Sequence, residues 1–485
     1  MDYTFLISNF LMEHADAPWG RQRLLYECLR SAILVGTLKE GTRLLSSREL
    51  SRELGIARNS VIYAYEQLVA EGFVQSSHRG TFVASVLTKS RIDLHKKIKN
   101  HCLSKRTQGF GVACEGGDIQ SAFVVGVPCL EAFPIGQWRR LLDQEWRKLS
   151  SQQLSYRDAI GELDLRVAIA NYLRASRGLR CDADQVFITD GTQSSLDLCA
   201  RLFADVGDIV WIENPGYVGA RTAFSVAGLR LIPIDVDDDG MCPKAEDWRR
   251  HPPKLIYLTP SHQYPLGSVL SLERRLSIIE HANAIGALII EDDYDSEFRR
   301  DGPPLPAMQG LSQDSPVIYL GTFSKSMFPA LRLGFMVVPA ALAPLVNKAL
   351  TTLVNHGRPA EQLALAKFIE NGLYTSHLRR MRRLYAERRD ALQAALVRHL
   401  GTAISIYGGS SGIHLSIELA DGGSDVLISQ AVLRQGIIAR PLSEHVLAHA
   451  RRRNWSGFLL GFASVAASDV DEAVRKLAGA IRKHR

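Results

Sequence analysis

The chain has 485 residues, of which 46% are hydrophobic and 22% charged. That is length for roughly two to four domains, and a usage that excludes wholesale disorder. No apolar run approaches the roughly 18–20 residues needed to cross a bilayer. The opening segment MDYTFLISNFLMEHADAPWG has neither the basic flank nor the small-residue cleavage site of a signal peptide. Seven scattered cysteines without a CxxC pair argue against a disulfide framework or a metal site, and for a reducing, cytoplasmic setting. The net charge of +7 is concentrated: residues 1–110 hold 16 Lys/Arg against 10 Asp/Glu, and the rest hold 42 against 41.

In chain order, RQRLLYECLRSAILV (21–35) carries apolar residues at a helical period. A second helix, SSRELSRELG, opens at Ser46 with Glu49 three residues on, as in a capping box, and stops at Gly55. A third starts near Ala57 and runs to Gly72. The β-prone runs FVQS and TFVAS follow, joined by SHRG. Helix, helix, turn, helix and a two-stranded wing predict a winged helix-turn-helix over 18–86. A recognition helix reads bases with its first residues, and arginine is the commonest bidentate partner of guanine.

LKEGTRLLSSRELSRELGIARNSVIYAYEQLVAEGFVQSSHRGTFV resembles the GntR-type winged helix. The resemblance implies double-stranded DNA as partner. It places the contacts on Arg48, on Arg58 and Asn59, and on His78, Arg79 and Gly80 at the wing tip.

The basic run TKSRIDLHKKIKNHCLSKR then opens a linker, read as 87–114. If disordered, such a linker spans on the order of 30 Å. From 115 onward, apolar strands (VFIT, IVWI, LIYLT, ALII, VIYLG, LGFMVV) alternate with helical stretches. This predicts a multidomain α/β chain: a mostly parallel sheet covered on both faces, with a smaller C-terminal α+β lobe.

The strand ends carry the chemistry. DGTQSSLDLCARL opens a helix after a strand, so Gly191, Thr192 and Gln193 can direct backbone N–H groups at a phosphate. Tyr217 in ENPGYVGAR can stack on a flat heterocycle. EDDYDSEF supplies carboxylates and Tyr294 at a strand's carboxyl end. GTFSKSMFPALRLGF adds Thr322, Ser324, Lys325 and Arg332. Pyridoxal 5'-phosphate uses such a set: a lysine for its aldehyde, a carboxylate for its ring nitrogen, hydroxyls and an arginine for its phosphate.

The order of these motifs resembles the fold-type I aminotransferases over 115–485. With the winged helix and linker, nearly the whole chain is similar to the MocR/GabR regulators. The resemblance implies that Lys325 is the Schiff-base lysine and that Asp292 meets the pyridine nitrogen. Tyr294 meets the phenolic oxygen and Tyr217 stacks on the ring. Gly191, Thr192, Gln193, Thr322, Ser324 and Arg332 hold the phosphate, and His262 and Gln263 line the ring side. Tyr156 reaches the phosphate of a neighbouring subunit, which implies a head-to-tail, domain-swapped homodimer.

Two positions depart from the pattern. Leu266 stands in YPLG where threonine is usual. Counted back from Gly461, Trp455 and Ser456 occupy the place of the arginine that clamps a substrate carboxylate. Arg221, Arg440 and Arg451 to Arg453 remain as effector-binding candidates, or the cofactor itself is the effector. The expected function is a transcriptional regulator, not an enzyme, that senses a small amine or pyridoxal phosphate. The alternative is an active aminotransferase with an appended DNA-binding domain.

Overall fold

The computed structural model describes residues 2–14, 18–85, 104, 106–107, 121–300, 302, 305–312, 314–353, 357–447 and 455–484. The chain divides into two compact units, residues 1–102 and 103–485. Most of the basic linker, including Lys96, Lys97 and Lys99, lies outside the described residues.

The first unit comprises α1 (Tyr3–Glu13), α2 (Arg21–Leu34), α3 (Ser47–Leu54) and α4 (Arg58–Ala70), then the hairpin β1 (Val74–Ser77) and β2 (Gly80–Val83). The capping box forms: the Glu49 amide donates to Ser46 Oγ and the Ser46 amide to Glu49 Oε2. Gly55 ends α3 in the left-handed region, at φ 62°. Leu29, Leu50, Val61, Ala64 and Leu68 make the core at the helix crossings. The α1 helix precedes the range expected from the sequence, yet it belongs to this core. Asp2 caps it, Tyr3 is buried, and the Tyr3 amide donates to Glu53.

The second unit is built on an eight-stranded sheet. Its strands are β3 (Val186–Thr189), β4 (Ile209–Asn214), β5 (Arg230–Asp237), β6 (Gly240–Met241), β7 (Leu255–Leu258), β8 (Leu288–Asp293), β9 (Val317–Thr322) and β10 (Gly334–Val337). Their order is β3-β10-β9-β8-β7-β4-β5-β6. Neighbours from β9 through β5 pair in parallel, whereas β10 runs antiparallel to both β9 and β3. Residues 255–258, 317–322 and 334–337 are buried throughout, because helices cover both faces. The first of these helices are α5 (Ile135–Lys148), α6 (Leu163–Arg177), α7 (Thr192–Phe203) and α8 (Val218–Val226). They are followed by α9 (Ala245–Arg250), α10 (Leu272–Ile285), α11 (Ala343–Leu353) and α12 (Pro359–Glu370).

The reversal at β10 positions the site. After Lys325 the chain turns at Arg332, itself left-handed at φ 50°, and β10 returns between β9 and β3. Gly334 makes that insertion possible, since a Cβ there would sit 2.8 Å from Gly191 Cα. The long helix α13 (Leu373–Leu400) leads to a four-stranded antiparallel sheet, ordered β11 (Ile404–Tyr407), β12 (His414–Leu419), β14 (Gly457–Gly461), β13 (Arg440–Pro441). Helices α14 (Asp425–Leu433) and α15 (Ala467–Lys483) complete this lobe. No helix among the described residues is long and apolar enough to cross a membrane.

Candidate functional site

The carboxyl ends of β7, β8 and β9 and the start of α7 surround a cavity of about 300 Å³. Such sheets bind ligands at that edge. Asp292, near the end of β8, is buried. Its Oδ2 accepts the Tyr257 hydroxyl at 2.8 Å, while Oδ1 is buried with no partner. Burial pushes its carboxyl up to about 7, which the Tyr257 bond only partly offsets. A buried acceptor without a donor is costly, so this atom suits a ligand N–H.

Lys325 lies in the loop after β9. Its ammonium donates to the Gly126 carbonyl at 2.8 Å. Burial lowers its pKa, opposed by the nearby Asp295. Thr192, Gln193, Thr322, Ser324 and Arg332 line the same cavity. Thr322 Oγ1 accepts the Ser324 amide at 3.1 Å, which fixes one hydroxyl. Gly191 begins α7 at φ 96°, and a Cβ there would stand 3.7 Å from the Arg332 guanidinium. Helix-start amides, hydroxyls and an arginine thus converge as an anion cup.

Tyr217 lines the cavity edge-on to Tyr264, at 5.5 Å between ring centroids. Tyr294 also lines it, and its hydroxyl donates to the His262 carbonyl at 2.9 Å. His262 itself stands behind the cavity wall, with Nδ1 3.1 Å from Asp295. Gln263 is occupied with the Pro215 and Tyr264 carbonyls and the Leu266 amide. Neither residue lines the cavity. Tyr264, His414, Val125 and Gly126 line it instead. Tyr264 opens the YPLG stretch. His414 follows the glycine-rich stretch GGSSG, a signal of close backbone approach that the sequence offered. Burial holds the His414 imidazole down at about 4, so it is neutral. Tyr156 is 90% exposed and lies apart from this pocket.

Trp455 packs beside Leu266, Leu442 and Leu459, and Ser456 donates to the Gly423 carbonyl. Neither lines the cavity. Arg440, directly opposite Leu459 on the neighbouring strand, does line the cavity, and its Nε is buried without a partner. Leu266, the other departure, is buried in the same apolar cluster. Arg221 donates to the Glu444 carbonyl at 3.3 Å and does not line the cavity. Arg451 to Arg453 lie outside the described residues.

In the first unit, Arg48, Arg58 and Asn59 are exposed at the starts of α3 and α4. Arg58 Nε donates to Ser47 Oγ at 3.3 Å, which draws the two helix starts together. His78 and Arg79 form the exposed two-residue turn of the wing, and Gly80 has φ 127°. Arg43, which the sequence did not mark, stands at the wing. A Cβ on Gly80 would be 3.0 Å from its Nε.

Comparison with known proteins agrees with this division. Residues 22–83 match bacterial regulatory proteins of the gntR family, and residues 126–477 match aminotransferase class I and II. The chain is 39% identical to the probable rhizopine catabolism regulatory protein MocR of Rhizobium meliloti, over 96% of this chain and 94% of that one. It is 32% identical to the pyridoxine biosynthesis transcriptional regulator PdxR of Corynebacterium glutamicum, over 87% and 88%. Among solved structures, LysN, the α-aminoadipate aminotransferase of Thermus thermophilus complexed with N-(5'-phosphopyridoxyl)-L-leucine, superposes with a TM-score of 0.69. It is 27% identical and covers 76% of this chain and 93% of its own. The chain therefore belongs to the MocR-type transcriptional regulators, in which a gntR-family DNA-binding module is joined to an aminotransferase class I and II domain.

Proposed function

We propose that this regulator holds pyridoxal 5'-phosphate on Lys325 and senses a small amine carrying an acidic group. The observation that carries the reading is the unpartnered, buried Asp292 Oδ1 in one cavity with the Lys325 amine. When bound, the cofactor supplies an aldehyde that condenses with amines and a ring that accepts electrons. Asp292 would accept the ring N–H, Tyr217 would pack on the ring, and Tyr294 and Tyr264 would meet its polar edge. Thr192, Gln193, Thr322, Ser324 and Arg332 would hold the phosphate, with Gly191 giving them room. Burial favours the neutral Lys325 amine, the form that attacks an aldehyde.

Arg440 favours an acidic amine over the cofactor itself as effector, because its buried Nε needs an acceptor. The names of MocR and PdxR tie those relatives to small-molecule metabolism, which supports a sensing role. We further propose that the protein acts as a homodimer and does not turn substrate over. Tyr156, exposed in the single chain, is free to enter a partner's pocket.

The test titrates cofactor-loaded protein with 4-aminobutyrate and with butylamine while visible absorbance is followed. The reading expects the acid to bind at least tenfold more tightly, and expects Arg440→Gln to erase most of that preference. Equal binding of both amines by the wild-type protein rejects Arg440 as the clamp. Steady-state turnover would favour the aminotransferase alternative.

A further inference from the structure

The anion cup is assembled from two separate loops. Gly191 and Thr192 come from the turn between β3 and α7, whereas Arg332 comes from the segment between β9 and β10. One side chain outside the cavity ties these loops together. Arg358, the residue before α12, pairs through its guanidinium with Asp190, the neighbour of Gly191. The same guanidinium donates to the main-chain carbonyls of Leu331 at 3.1 Å and Arg332 at 2.9 Å. It does not line the cavity.

The backbone shows how firmly this arrangement is held. Among the described residues, three non-glycine residues adopt positive φ: Phe123, Arg332 and Arg358. Two of them are thus the ends of this link. The third lies three residues before Gly126, which accepts from Lys325. Such backbone persists only where surrounding contacts over-determine it, and it gathers at ligand clamps. A planar guanidinium with several donors suits the task, since it can meet a carboxylate and two carbonyls at once. A lysine ammonium lacks that fixed fork.

We infer that Arg358 is a positioning residue for the phosphate of the bound cofactor. It sets the spacing between the Asp190–Gly191 turn and the Arg332 turn, so that helix-start amides and guanidinium meet one phosphate together. Arg358 touches the cup's supports and not the ligand, so its removal blurs the cup without deleting a ligand contact. This inference rests on the reading of the cavity as a pyridoxal phosphate site.

The test measures affinity of the full-length apoprotein for pyridoxal phosphate and for pyridoxal, which carries the same aldehyde and ring without the phosphate. Thermal unfolding of each apoprotein is recorded alongside. Arg358→Ala is expected to weaken pyridoxal phosphate by on the order of tenfold, while pyridoxal stays within about twofold. Asp190→Asn should bias the pair in the same direction, and the double variant should be no worse than Arg358→Ala alone. Should Arg358→Ala fail to fold, Arg358→Lys carries the test, because it keeps the charge but cannot bridge both loops.

A brace for general stability would lower both affinities by one factor, or lower only the unfolding temperature, and either result overturns the inference. Wild-type protein that binds pyridoxal as tightly as pyridoxal phosphate overturns the cofactor reading itself, an outcome visible before any variant is made.

Discussion

Replacing Asp292 with asparagine separates what this carboxylate costs the fold from what it contributes to the ligand. Its pKa is moved from 3.8 to about 7, chiefly by burial. The sign follows from proton uptake. Below about pH 4 the carboxyl is neutral in both folded and unfolded chains, and no penalty exists. Between about pH 4 and pH 7 the unfolded chain ionises while the folded one holds its proton, so stability falls as pH rises. Each pH unit of that window costs about 1.4 kcal/mol, and above pH 7 the cost levels at about 4 kcal/mol. Asparagine does not titrate. The Asp292→Asn apoprotein should therefore be more stable than wild type at pH 8, by as much as about 4 kcal/mol, with the gain fading toward pH 4. Its affinity for pyridoxal phosphate should move the opposite way. Losing a charge-assisted bond worth about 1.5–3 kcal/mol weakens binding by roughly one to two decades. Urea unfolding of both apoproteins at pH 4, 6 and 8, with a cofactor titration at pH 8, measures both effects. A variant equally or less stable at pH 8, with unchanged cofactor affinity, would refute the role given to the orphan oxygen.

Other consequences are as direct. Lys325→Ala should abolish the yellow colour and the borohydride-reducible adduct of the purified protein; a reducible adduct that persists means another lysine carries the aldehyde. Arg58→Ala should cost about 1–3 kcal/mol on the operator and relax base preference, whereas neutralising Lys96, Lys97 and Lys99 should lower affinity alike on all sequences and flatten its salt dependence. Gel-shift titrations on cognate and random DNA distinguish the two, and identical behaviour of both variants on both DNAs rejects the division. Mixed dimers of Lys325→Ala and Tyr156→Phe chains should keep one intact pocket in two, read by the stoichiometry of cofactor uptake. Two equally damaged pockets would place Tyr156 in its own chain's site.

Much of this architecture was legible because local chemistry and fold agree. The Ser46–Glu49 box, Gly55 and the short wing turn each have one structural use, and each is found in it. Thr192, Tyr217, Asp292, Lys325 and Arg332 could be ordered into a pocket because Asp292 lies near the end of a buried strand and each of the others follows one. What escaped depends on pairing between distant segments. The apolar run at β10 says nothing of its direction, which the Arg332 turn and the small Gly334 decide. Arg440 reads in the sequence as one candidate arginine among several, and only register with Leu459, 19 residues away in the chain, sets it at the pocket. The α1 helix reads as an isolated apolar patch until Tyr3 meets the core of its unit. His262 occurs in a motif that turns toward the site, yet its ring pairs with Asp295 behind the wall, a choice set by packing against Gly412.

If the regulator senses through the Lys325 pocket as proposed, occupancy of that pocket alters DNA binding. The measurement is operator affinity of the wild-type protein as apoprotein, as cofactor-loaded protein, and as cofactor-loaded protein saturated with an acidic amine, with Lys325→Ala measured in parallel. At least one loading step should change wild-type affinity, and Lys325→Ala should respond to none. The change can be no larger than the ligand's differential affinity for the DNA-bound and the DNA-free protein. Identical operator affinity in all three wild-type states, or an unchanged response in Lys325→Ala, would contradict that proposal.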